Sequence, residues 1–87
     1  MDKSVLLTHS SMDAIACKLL NGSVSDHTNI EHKDIIEPEC LVYYHSTKRG
    51  GGAVIISPDG GWLLKNPFEV SYEKHLEMFL DGERDNS

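Results

Sequence analysis

The sequence predicts an α+β domain in two layers, an antiparallel meander of three strands, or four, with two helices packed on one face. Three observations carry that expectation. Apolar residues recur at helical spacing in residues 11–21 and again after Pro67. Short runs rich in β-branched and aromatic residues lie between the two helical stretches. Turn residues separate those runs. Helical periodicity at both ends of a strand-rich middle is the pattern of an antiparallel sheet with attached helices.

Taken in order, Val5-Leu6-Leu7 reads as a short strand or the first turn of a helix, and Thr8-His9-Ser10-Ser11 as a break rich in capping residues. Ser10 with Asp13 imitates a capping box. A helix from about Ser11 to Asn21 buries Met12, Ile15, Ala16, Leu19 and Leu20, and Gly22 ends it as a C′ glycine. Residues 22–34 are polar and aperiodic, a surface connection. Ile35-Ile36 makes an edge segment stopped by Pro38.

Cys40 to His45 reads as a strand, Thr47 to Gly52 as a loop, Ala53 to Ser57 as a second strand and Trp62 to Lys65 as a third. Between the last two, Pro58-Asp59-Gly60-Gly61 is a hairpin turn, with Pro presetting φ and Gly supplying positive φ. The last helix starts either at Pro67 with Asn66 as its N-cap, or at Ser71 with residues 66–70 as a turn. Phe68, Tyr72, Leu76 and Phe79 should face the sheet, Gly82 should end the helix, and residues 82–87 should fray.

Eighty-seven residues form one domain, 1–87. Net charge is −6, unevenly spread: residues 66–87 hold six acids against two bases. That balance opposes direct nucleic-acid binding, which needs Lys and Arg to displace counterions. It suits a basic protein partner reached by electrostatic steering. No apolar run approaches a membrane span or a signal peptide, and two cysteines without a CxxC pairing suit a reduced, cytoplasmic protein.

Glu69, Glu73, Glu77 and Asp81 recur every fourth residue and stack on one helical face, with no Lys or Arg among the four. Like charges four apart cost a helix about 0.2–0.5 kcal/mol per pair. Such a ladder is either a solvated face that keeps a small protein soluble or a docking face for a cationic surface. Docking by rim charges calls for an anchor, and Tyr43, Tyr44 and Trp62 are the candidates. Alternation puts Tyr43 and Tyr44 on opposite faces, so one should project from the free side of the sheet.

No catalytic, metal or cofactor site is expected. His27 and His32 with Cys40 and His45 are metal-type donors, but the spacing does not pair two ligands. Cys17 lies inside a helix; Cys40 and His45 point to opposite faces of one strand. His75 falls at the border of the buried stripe and reads as packed. Lys48-Arg49-Gly50-Gly51-Gly52 leads into a strand rather than a helix, so it is a hairpin connection and not a phosphate loop.

The succession LVYYHS, GGGAVIIS, PDGG, WLL and YEKHLEMF across residues 41–79 resembles the YrhB-like family of small bacterial immunity proteins. That family is associated with polymorphic-toxin loci. The resemblance implies a protein that binds and neutralises a cognate toxin, and it assigns no binding residue. The expected function is therefore that of a non-enzymatic acidic inhibitor of a basic protein partner, of immunity or antitoxin type. The alternatives are a phage-encoded inhibitor of a host nucleic-acid-binding protein, a homo-oligomeric module joined through a free sheet face, and a small metal- or thiol-dependent enzyme.

Overall fold

The computed structural model describes residues 8–36, 41–48 and 51–85. Val5 to Leu7, Pro38, Cys40 and the Arg49-Gly50 part of the basic loop fall outside them. Along the chain come α1 (His9–Asn21), β1 (Ile30–Ile36), β2 (Leu41–Ser46), β3 (Ala53–Ile56), β4 (Trp62–Lys65) and α2 (Tyr72–Leu80). The four strands pair antiparallel in sequence order, β1-β2-β3-β4. This is the expected α+β fold, with the fourth strand present.

The first helix starts two residues earlier than the sequence suggests. Thr8, extended at ψ 170, is its N-cap, and the Thr8 hydroxyl accepts from Ser11 N at 3.1 Å. Gly22 closes it in the left-handed region at φ 82, its N–H bonding Lys18 O at 2.9 Å. The Asn21 amide then donates to Asp26 O and Thr28 O, at 2.8 and 2.9 Å, and folds the polar connection back toward the sheet.

That connection is shorter than predicted, because residues 30–34 belong to β1. An edge strand does not have to alternate apolar and polar residues, which hides IEHKD from a periodicity search. The register pairs Glu31 with His45 and His32 with Tyr44, and shifts between Asp34 and Ile36. The β3–β4 hairpin is as predicted: Gly60 N bonds Ser57 O at 3.0 Å, and Gly60 adopts φ 99. The Asp59 carboxylate accepts from Gly61 N at 3.0 Å and from the Ser57 hydroxyl. Those bonds, the Ser57 hydroxyl's first, hold its pKa below the usual carboxylate value.

One expectation is overturned: the helices do not share a face. Met12 and Ala16 of α1 pack on Val42, Tyr44, Val54 and Ile56, with Ile15, Leu19, Leu20, Trp62 and Leu64 around them. Phe79 of α2 packs with Leu41, Tyr43, Ala53, Ile55 and Leu63, flanked by Tyr72, Leu76 and Met78. These strand residues alternate by register, so the sheet lies between the two helices as the middle of three layers. All four residues of β3 are buried, as a strand covered on both sides requires.

Of the two helix starts, the later holds. Asn66 O accepts from Glu69 N and Val70 N, both at 2.9 Å, and Asn66 Oδ1 accepts from Phe68 N at 2.9 Å, so residues 66–70 form a turn. Ser71 caps α2 by accepting from Lys74 N at 3.2 Å. Phe68, placed by that turn, is 82% exposed instead of facing the sheet.

Of the tail expected to fray, residues 83–85 are held by hydrogen bonds, and residues 86 and 87 fall outside the described residues. The Arg84 guanidinium lies 3.5 Å over the Phe79 ring and donates to Phe79 O at 2.7 Å. Asp85 N donates to Trp62 O at 2.9 Å, and the Asp85 carboxylate accepts from Leu64 N at 2.8 Å. Asp85 thereby satisfies Trp62 O and Leu64 N on the outer edge of β4, groups that an edge strand would otherwise leave bare.

Candidate functional site

The outer face of α2 carries three of the four expected carboxylates. Glu73, Glu77 and the C-capping Asp81 are all exposed, while His75 and Phe79 bury the opposite side. Glu69 sits in the preceding turn, off the helix, because the helix starts only after Ser71. Glu73 lies in the first turn, where the helix dipole favours it; Glu77 and Asp81 lie where it does not. The Lys74 ammonium is 3.7 Å from Glu77 Oε1, both well exposed, a pair worth about 0–1 kcal/mol. Among the described residues Glu73 and Asp81 have no ion pair.

Beside this acidic row runs an apolar one. Leu76 is partly buried and Leu80 is 54% exposed. Glu73, Leu76, Glu77, Leu80 and Asp81 line one shallow groove of about 380 Å³.

Of the expected anchors, both tyrosines are buried and Trp62 is half-buried. Tyr43 is 8% exposed and packs edge-on against Tyr72 at 4.9 Å and His75 at 5.7 Å. Burial, then the Tyr72 phenol, raises its pKa above the ordinary tyrosine value. Tyr44, 2% exposed, lies under α1 and donates to Asp13 Oδ1 at 2.5 Å. Trp62 is partly buried against the α1 layer. Tyr43 and Tyr44 do point to opposite faces, but a helix covers each face, so no tyrosine projects. The same cover removes the free sheet face that a homo-oligomeric module would use.

A second cluster was not expected. Cys17 Sγ lies 3.3 Å from His27 Nδ1, in a recess of about 60 Å³ lined also by Asp13, Ile30, His32 and Tyr44. Cys17 shares a helical flank with Asp13, four residues away, but its proximity to His27 depends on the Asn21-held turn, which no spacing rule encodes. Burial, then Asp13 and Asp26, raises the thiol's pKa and keeps it protonated. A reactive thiolate needs the reverse surroundings. His32 belongs to this α1 side, whereas His45 faces the other side and lies 3.6 Å from Glu31. The histidines at 27, 32 and 45 therefore do not converge. Among the described residues no three His, Cys, Asp or Glu side chains are placed to hold a metal.

His75 is packed, as expected: 1% exposed, with Nε2 at 2.7 Å from Leu63 O. Burial lowers its basicity, the Leu63 carbonyl opposes that, Lys65 adds to the lowering and Asp85 opposes it. The neutral ring thus donates from Nε2 and joins α2 to β4.

No helix among the described residues is long and apolar enough to cross a membrane. Comparison of the chain with models of protein families, with curated proteins and with solved structures finds no match.

Proposed function

We propose that this protein is a non-enzymatic, cytoplasmic inhibitor that occludes a basic surface of a protein partner through the outer face of α2, in the manner of an immunity protein or antitoxin. One observation carries it: Glu73, Glu77 and Asp81 stand together on a helix whose inner side is fully committed to the core. Among the described residues Glu77 alone of the three has an ion pair, with Lys74. Carboxylates so placed attract an oppositely charged surface and hasten encounter with it. With both tyrosines buried, Leu80 supplies the apolar anchor. The resemblance of residues 41–79 to YrhB-like immunity proteins agrees with this role.

The test compares the protein with its Glu73→Lys/Glu77→Lys variant as bait in affinity capture at low and high salt. Whatever is retained is purified and assayed with each form. A basic protein should be captured, inhibited by the native chain and released by salt, while the variant neither retains nor inhibits it. Equal retention and inhibition by the variant defeats the proposal.

A further inference from the structure

The groove on α2 has a regular origin. Glu73, Glu77 and Asp81 form one row of residues four apart, and Leu76 and Leu80 form the adjacent row. The five residues that line the groove are the members of these two rows. A channel between two such rows is the feature into which a ridge of another helix inserts, most often crossing at about −50°. In this protein one wall is wholly carboxylate and the other wholly leucine.

Resting on the binding role proposed above, we infer that the partner presents an amphipathic cationic helix, its apolar ridge seated against Leu76 and Leu80 and its Lys or Arg row over Glu73, Glu77 and Asp81. The chemistry is one-sided. An apolar helix without cations would strand three carboxylates at the contact. A cationic loop without an apolar ridge would leave Leu80 facing water. A second copy of this chain would bring carboxylates against carboxylates, a repulsion that opposes self-association through this face. Nine residues at 1.5 Å each give α2 a length of about 14 Å, so two to three turns of the partner helix can be engaged.

The full chain would be titrated with two synthetic peptides of identical composition. In the first, leucines repeat four apart beside a row of lysines; in the second the same residues are scrambled. Binding is followed by calorimetry, and the site by amide chemical-shift changes. The patterned peptide should bind roughly tenfold more tightly than the scrambled one, with the largest shifts in residues 73–81. Leu80→Ser removes an exposed side chain; it should abolish most of that preference and leave the scrambled peptide's affinity unchanged. Glu73→Lys/Glu77→Lys should weaken both peptides. Equal binding of the two peptides, insensitive to Leu80→Ser but lost on charge reversal, overturns the helix inference and leaves the acidic docking face standing. Insensitivity to charge reversal as well defeats both. Self-association of the chain that is abolished by Leu80→Ser would make a second copy the occupant and would also overturn the inference.

Discussion

Acid should loosen this fold through one side chain, His75. It is 1% exposed, its Nε2 is bonded to Leu63 O, and burial holds its proton affinity below that of a free imidazole. The unfolded chain, with an ordinary imidazole near 6.5, binds the proton more readily. Stability contributed by the neutral ring is therefore complete above about pH 6.5 and is lost as pH falls below it, reaching its floor once the folded state also protonates. Between those limits one differential proton gives a slope of at most about 1.4 kcal/mol per pH unit. Asp59, whose folded pKa is depressed, behaves in the opposite sense: its contribution disappears only below the ordinary aspartate value near 3.9. Urea unfolding from pH 7.5 to 5 thus isolates the histidine. His75→Gln keeps an amide donor in reach of Leu63 O and cannot titrate, so its stability should be nearly flat where the native protein's declines. His75→Leu should also be flat, but lower by about 1–3 kcal/mol, since Leu63 O loses its buried partner. Parallel pH profiles for the native protein and His75→Gln would refute the reasoning.

Two further predictions address the packing around the sheet. Asp85→Ala should accelerate hydrogen exchange at the Leu64 amide selectively, because that N–H loses its carboxylate acceptor while Leu64 still pairs with Val54; uniform acceleration across β4 would mean the tail contributes differently. Tyr44→Phe removes the bond to Asp13 and should cost about 1.5–3 kcal/mol by chemical denaturation, a smaller cost meaning that water substitutes freely at Asp13.

The local elements were largely legible in the residues, and their arrangement less so. The α1 stripe, the Gly22 stop and the Pro58-Asp59-Gly60 hairpin depend on contacts a few residues apart, which patterning encodes directly. The placement of α2 opposite α1 is also written in the chain. AVII and LVYY are continuous apolar runs, and a strand with one wet face would have alternated. Following that rule would have predicted a covered Tyr43 and Tyr44. Residues 30–34 of β1 escaped because the polar side chains of an edge strand imitate a loop. Asn66-Pro67 imitates a helix start that would put Glu69 on α2, whereas the Asn66 side chain accepts from Phe68 N. The Cys17–His27 contact and the Asp85 clasp on β4 are tertiary, with no spacing to announce them.

Dividing the core into two clusters on either side of one sheet separates tasks that a single core would entangle. Substitutions under α1 can raise or lower the protein's durability at a distance from the surface assigned to recognition. The exposed rows of α2 can drift toward a new partner without disturbing the larger helix. A lineage pressed to change its target rapidly, or an engineer retargeting it, would find specificity and robustness adjustable as nearly independent variables.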